Sequence, residues 1–116
     1  MNRLELAFWE ADRHWSALAP ALEEWRQRTP PSLAAVETND QKLRLLDQIL
    51  FRFARLQDCF GERLVPATLE ALSEPFEAWP MRDRLERLDR IGFLRVEDWL
   101  RWRELRNRLS HEYPDQ

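Results

Sequence analysis

The feature that most constrains the fold is an unbroken helical repeat near the start of the chain. Apolar residues recur there at alternating spacings of four and three, at Leu4, Phe8, Ala11, Trp15, Leu18, Leu22 and Trp25. This spacing keeps them on one face of an α-helix. Pro20 lies inside the repeat, so we expect the helix to kink near residues 16–20 or to restart there. Thr29-Pro30-Pro31 should end the helix, and residues 30–37 are expected to form a loop.

The middle of the chain predicts a second long helix. Thr38 to Gln41 has the pattern of a capping box, in which Thr38 caps the helix and Gln41 reaches back. The apolar stripe of this helix is Leu46, Ile49, Phe53, Leu56 and Phe60. Gly61 should break or bend it, leaving either a short third helix or a continuation with Pro66 near its first turn.

Two further helices follow a connection at residues 73–80 that contains two prolines. The first should be about ten residues long and end at Gly92. Its inward positions are Leu85, Leu88 and Ile91. The last helix should begin near Val96, where acids follow in the first turn, and should end before Pro114.

The composition is that of a small globular domain. The chain has 116 residues, of which 44% are hydrophobic and 34% are charged, and it shows no strand pattern. We therefore expect one all-α domain over residues 1–116, an up-and-down bundle of four long helices plus a short one. A bundle of this size often buries additional surface by forming oligomers.

Cysteine content and charge limit the classes of function. The single cysteine, Cys59, excludes an internal disulfide and a cysteine-based zinc site. Without a signal peptide or a long apolar run, we expect a soluble cytoplasmic protein with no membrane partner. The net charge of −3 provides no global attraction for nucleic acid. Lys42 is the only lysine among 18 basic residues, an arginine excess that suits phosphate binding or reflects the codons of a GC-rich genome.

The C-terminal segment carries the residues best suited to catalysis: Arg106, His111 and Tyr113. Arginine neutralises phosphate charge, histidine transfers protons near neutral pH, and tyrosine offers a hydroxyl that can be modified. These groups suit phosphodiester chemistry. They equally suit an ordinary polar helix end, at which the helix dipole stabilises a histidine.

The spacing within this segment has a geometric consequence. On a regular helix, positions 106 and 111 are about 140° apart, so one straight helix does not direct both residues at the same phosphate. Positions 106 and 113 share a face. Either the helix loosens near Ser110, or a second copy of the chain completes the site. The second possibility predicts a homodimer.

The same segment resembles the signature of HEPN-domain proteins, and more specifically of the HepT toxins. That signature is Arg, four residues, His, one residue, Tyr, with a polar residue such as Asn107 after the arginine. Residues 46–58 are similar to the second helix of HepT-like sequences, and residues 84–92 are similar to the segment that leads into the last helix. The likeness covers residues 40–115, whereas the first 35 residues match only in being helical.

The resemblance implies a metal-independent endoribonuclease toxin that uses no cofactor and cleaves RNA, either tRNA or mRNA, at composite sites in a homodimer. Arg106 would hold the scissile phosphate and offset its transition-state charge. His111 would be the general acid or base, and Asn107 would orient the pair. Tyr113 would receive AMP from a nucleotidyltransferase antitoxin of the MntA type, and the added phosphates would repel RNA.

Asp58, near the end of the second helix, matches a polar position of the family. It could pair with Arg106 and hold the guanidinium in place, or it could be a solvated helix residue. Arg52 and Arg55 could line the cleft or form surface ion pairs. Two other functions remain open: a non-catalytic subunit that binds a nucleotidyltransferase and presents its substrate, and a structural bundle with an accidental motif.

The six tryptophans could stack on bases. Helical spacing instead places Trp15, Trp25 and Trp99 in the core or in a dimer interface, while Trp9 and Trp102 are better candidates for an exposed patch. We expect His14 to have a surface or core role. Cys59 is expected to be a small buried residue.

Overall fold

The computed structural model describes the backbone of residues 1–112 and the side chains of residues 1–109, and all regular structure in that part is helical. The helices are α1 (Arg3–Gln27), α2 (Leu33–Glu37), α3 (Asp40–Cys59), α4 (Val65–Ala71), α5 (Met81–Arg90) and α6 (Val96–Glu112). The all-helical bundle is therefore confirmed. The expected four long helices correspond to α1, α3, α5 and α6, the expected short helix is α4, and α2 is additional. None of the described helices is long and apolar enough to cross a membrane.

Helix α1 runs through Pro20 without interruption, so the alternative of a restart is wrong. Asn2 caps this helix, and its side-chain oxygen accepts a hydrogen bond from the Glu5 backbone N–H at 2.8 Å. Leu18 and Ala21, on either side of the proline, are buried where α1 packs along α3. This packing offsets the backbone hydrogen bond that a proline removes from a helix.

Residues 30–37 contain the short helix α2 instead of the expected loop. Ser32 begins this helix, because its hydroxyl accepts a hydrogen bond from the Ala35 backbone N–H at 3.2 Å. Val36 is buried, and α2 packs against α3. A serine cap and one buried valine are sufficient to hold a single helical turn in this position.

The cap of α3 is Asn39, not Thr38 as predicted. The Asn39 side-chain oxygen accepts hydrogen bonds from the backbone N–H groups of Gln41, at 3.0 Å, and Lys42, at 3.2 Å. Thr38 instead follows the last residue of α2, and its hydroxyl donates a hydrogen bond to the Ala34 carbonyl of that helix. Both residue types are good caps. Because the Thr38 side chain is hydrogen-bonded to α2, which the sequence did not predict, Asn39 caps α3.

Helix α3 continues into α4 through a π-helical segment, Phe60–Leu64, so the predicted continuation is the outcome. Pro66 lies in the first turn of α4, as expected. A Cβ atom added to Gly61 would lie 2.9 Å from the Cη2 atom of Trp99. The absence of a side chain at Gly61 therefore permits the close approach of α6.

The main core lies at the end of the bundle built by α4, α5 and α6. We call its buried residues the packed end: Val65, Leu69, Phe76, Leu85, Leu88 and Trp99. Gly92 ends α5 with a φ of 88°, as expected. Ile91, which was expected to point inward, is exposed. The reason is that α5 already ends at Arg90, so the helical period no longer applies to position 91.

Candidate active site

Two helices bring the predicted pair Asp58 and Arg106 together. Asp58 lies at the end of α3 and Arg106 lies on α6, and the Arg106 Nη2 atom donates a hydrogen bond to Asp58 Oδ2 at 3.2 Å. Both side chains are partly exposed, at 31% for Arg106 and 40% for Asp58. A charge-assisted hydrogen bond of this kind fixes the direction of the guanidinium. The pairing predicted from the sequence is thus present.

The packed end positions Arg106. Trp99 is buried against Gly61, and its ring lies 5.3 Å from that of Phe60, centroid to centroid. Arg103 and Arg106 follow Trp99 at helical spacings of four and three, so all three residues share one face of α6. Anchoring the first turn of α6 therefore sets the positions of Arg103, one turn later, and of Arg106, two turns later.

These residues line an open cleft of about 310 Å³ between α3 and α6. Its walls carry both signs of charge and several neutral donors: Gln57, Asp58, Glu62, Trp99, Arg103, Arg106 and Asn107. The Gln57 Nε2 and Trp99 Nε1 atoms are buried, and neither has a hydrogen-bond acceptor among the described residues. A buried donor without an acceptor costs about 1–3 kcal/mol. Because these two atoms have no accessible surface, the donors that an anionic ligand in the cleft could reach are those of Arg103, Arg106 and Asn107.

Two predicted site residues lie beyond these contacts. Tyr113 is outside the described residues, and so is the side chain of His111. The backbone of α6 remains helical through Ser110 to Glu112, so the predicted loosening near Ser110 is not found. On a regular helix, positions 106 and 111 point about 140° apart. The geometric argument for a second copy therefore remains.

A second concave surface, which we call the apolar groove, lies between α1, α3 and α6 and has a volume of about 510 Å³. Its main lining residues are Phe8, Trp15, Leu22, Phe53, Leu56, Phe60 and Trp102. Much of the N-terminal apolar repeat therefore faces this groove and not a core. Trp15, predicted for the core or a dimer interface, is 51% exposed, which excludes the core. Trp99 is in the core, as expected.

The groove adjoins the cleft. Gln57 lines both surfaces. Trp102, in the groove, precedes Arg106, in the cleft, by one turn of α6. Any partner that covered the groove would therefore also lie next to Arg106.

Arg52 and Arg55 have neither of the roles predicted for them. Neither residue lines the cleft, and neither forms an ion pair within the described part of the chain. Arg52 Nη1 instead lies 3.2 Å from His14 Nδ1. A guanidinium only donates hydrogen bonds, so His14 accepts and is neutral in this contact. Burial and the charge of Arg52 lower the pKa of His14 accordingly.

Cys59 is buried, as expected. Its Sγ atom donates to the Ala7 carbonyl at 3.8 Å. Burial raises the pKa of the Cys59 thiol, which therefore remains protonated near neutral pH. This residue joins α1 to α3 and has no chemical role in the cleft.

Sequence reasoning missed Gln57, Trp99 and Arg103 as parts of the cleft. The signal for the α6 residues was present, because Trp99 and Arg103 repeat helically with Arg106. Gln57 precedes Asp58 on α3, but nothing in the sequence indicates that its amide is buried. No protein-family model, curated protein or solved structure matches the chain.

Proposed function

We propose that the chain is a HEPN-type endoribonuclease toxin of the HepT kind, which cleaves RNA as a homodimer and is controlled by a nucleotidyltransferase antitoxin. The observation that carries the proposal is Arg106, held by Asp58 in a donor-lined cleft on the helix that continues to His111. A guanidinium fixed in this way suits recognition of a tetrahedral phosphate.

In the proposed mechanism, the cleft stabilises the phosphodiester as its charge rises. Arg106 binds a non-bridging oxygen, and Asp58 already holds its guanidinium before the substrate arrives. Donors fixed before the reaction are worth more than donors that must reorient during it. Asn107 lies at the rim, where its amide orients the bound phosphate.

His111 transfers the proton, either from the ribose 2′-hydroxyl or to the leaving oxygen. Because positions 106 and 111 diverge on a regular helix, the His111 that works with a given Arg106 belongs to the second copy. Support for the dimer comes from the apolar groove, since a concave apolar surface next to a polar site is typical of an interface.

Regulation follows from the place of Tyr113 directly after the catalytic segment. AMP added to its hydroxyl brings phosphate charge next to the site. Like charges repel, so the modified toxin binds RNA poorly.

The test is RNA cleavage by the purified wild-type protein and by Arg106→Ala and His111→Ala variants. Loss of one fixed transition-state donor costs about 10²–10³ in rate, so we expect at least that loss for Arg106→Ala. The matched control is Arg90→Ala, which removes an exposed arginine on α5 and should cleave normally. Cleavage that is undiminished in both Arg106→Ala and His111→Ala would exclude the proposed mechanism.

A second candidate function is a non-catalytic subunit that binds a nucleotidyltransferase. The observation in its favour is that the Asp58 carboxylate compensates the charge of Arg106, which suits a structural ion pair. On this alternative, the protein co-purifies with the nucleotidyltransferase but cleaves no RNA. Arg106→Ala then weakens the folded state and not a catalytic rate.

A further inference from the structure

A cluster of arginines and aromatic rings occupies the surface where α1 meets α3. The Arg13 guanidinium lies 4.8 Å from the centroid of the Trp9 ring. Arg52 and Arg55 lie 5.7 and 5.3 Å from the centroid of the Phe51 ring. We call these five residues the arginine face. Trp9 and Phe51 are both about half exposed, at 47% and 45%.

The three arginines of this face form no ion pairs with described residues. No carboxylate in the described chain lies within ion-pair distance of Arg13, Arg52 or Arg55. The neighbouring acid Glu10 is bound to Arg63 at 2.7 Å. A chain of net charge −3 thus carries a local positive surface.

His14 lies between α1 and α3, and the same three arginines affect its pKa. Burial and then the charges of the three arginines lower its pKa, while Glu10 acts in the opposite direction. The histidine therefore adds no positive charge at neutral pH. Attraction for anions at this face depends on the arginines alone.

The arginine face is continuous with the cleft along α3. Phe51, Arg55 and Asp58 follow one another at spacings of four and three residues, which places them in one row. The row rises about 10 Å from Phe51 to Asp58, and Asp58 holds Arg106. A ligand lying along this row would pass from exposed rings and guanidinium groups into the proposed catalytic site.

The geometry points to the arginine face as a binding surface for single-stranded nucleic acid, whose phosphates contact Arg13, Arg52 and Arg55 and whose bases stack on Trp9 and Phe51. Its role in delivering a substrate strand to Arg106 rests on the proposed nuclease function. The binding itself does not. Alternating cations and exposed rings suit a strand whose bases are unpaired, since every base offers a face for stacking.

Other anions fit this arrangement less well. A duplex hides the faces of its bases, so only its phosphates could bind here. An acidic peptide could pair with the arginines but would leave the rings without a planar partner. The contribution of Trp9 and Phe51 to binding affinity therefore distinguishes a single strand from a duplex or an acidic peptide.

The test measures fluorescence anisotropy with fluorescein-labelled oligothymidylate, a single strand that lacks the 2′-hydroxyl and so resists the proposed cleavage. Unlabelled oligothymidylate, a DNA duplex and polyglutamate serve as competitors. We expect the unlabelled oligothymidylate to compete well, the duplex less well and the polyglutamate least.

The variants probe the rings and the charges separately. Loss of one stacked base corresponds to about five- to 150-fold weaker binding, which we expect for Phe51→Ala and Trp9→Ala. Phe51→Leu, which keeps the apolar contact but not the planar ring, should also bind weakly, whereas Trp9→Phe should retain most of the affinity. Phe93→Ala is the control, because Phe93 is exposed but lies between α5 and α6.

For the charges, each phosphate contact contributes about 0.7 to the slope of log affinity against log salt for single strands. Arg52→Ala and Arg55→Ala should each lower the slope by about that amount. Arg90→Ala, with the same loss of charge on α5, should leave it unchanged. Circular dichroism confirms that each variant remains folded.

The results separate this inference from the proposed nuclease. Suppose that His111→Ala stops cleavage but still binds oligothymidylate, and that binding depends on Phe51 and Arg55. The nuclease proposal and the inferred binding surface are then both supported. If the wild type cleaves no RNA but binding shows the same dependence, only the nuclease proposal fails. Two results would overturn the inference: binding that does not change in the ring and arginine variants, or competition by polyglutamate that is as strong as competition by unlabelled oligothymidylate.

Discussion

The packed end and the apolar groove differ in how far they bury their apolar residues. At the packed end, α4, α5 and α6 enclose Leu69, Leu85 and Leu88 almost completely. Along the apolar groove, Phe8 and Trp15 are more than half exposed, although they belong to the most regular helical repeat in the chain. The packed end buries its apolar side chains within a single copy of the chain, whereas the apolar groove leaves exposed apolar area that a partner could cover.

The candidate site lies on the boundary between these regions. Trp99 belongs to the packed end and sets the position of Arg106, while Gln57 lines both the cleft and the groove. A rigid support on one side and an uncovered surface on the other suit a site that is fixed in part by its own chain and completed by a second one. The predictions below test this difference.

The largest expected difference is in stability. Leu69→Ala removes a side chain with 0% exposure and should lower the free energy of unfolding by about 2–5 kcal/mol. Leu22→Ala removes the same atoms from the groove, where Leu22 is 38% exposed, and should cost under about 1 kcal/mol in the dilute protein. Urea denaturation at low protein concentration measures both. Equal losses of unfolding free energy in the two variants would mean that the apolar groove is as well packed as the packed end.

A smaller effect is expected at the contact that joins the site to the packed end. Gly61→Ala places a methyl group 2.9 Å from Trp99 Cη2, an overpacking that costs about 1–3 kcal/mol. Because Trp99 positions α6, the displacement should also reduce RNA cleavage. The measurements are thermal unfolding and cleavage rate.

The control for Gly61→Ala is a second change at the same contact. Trp99→Phe removes the atoms that meet the new methyl group. The double variant should therefore lose less unfolding free energy than the sum of the losses in Gly61→Ala and Trp99→Phe. Strictly additive losses would show that Gly61 acts through its own backbone and not through Trp99.

The sequence predicted the bundle and most helix ends, because periodicity and helix-end chemistry are local. The Asp58–Arg106 pair joins two distant helices, and it was expected from the family resemblance as one of two alternatives. The sequence left open whether Trp15 lies in the core or in a dimer interface, since a helical repeat identifies an apolar face without saying what covers that face, and the structure excludes the core. The cap of α3 moved from Thr38 to Asn39 because α2, a single turn, was not foreseen. The position of Gln57 in the cleft depends on how α6 packs, which no local pattern encodes.

The smallest expected change in stability tests the groove most directly. Trp15→Gln replaces a half-exposed side chain and should alter the unfolding free energy of the monomer by about 0.5 kcal/mol or less. If the groove is the dimer interface, the same change removes a central aromatic residue, which costs about 2 kcal/mol or more in association. Light scattering after size-exclusion chromatography, over a range of concentrations, should show a wild-type dimer and a Trp15→Gln monomer.

Trp9→Gln is the matched control for association, because Trp9 is exposed to a similar extent but lies outside the groove; it should remain a dimer. A composite site also requires that Trp15→Gln lose RNA cleavage while keeping Arg106 and His111. Either of two results would show that one copy suffices: a wild type that cleaves RNA although it is monomeric at every concentration, or a monomeric Trp15→Gln variant that cleaves at the wild-type rate. The helix would then have to bring Arg106 and His111 together by itself, against the divergence of about 140° between their positions.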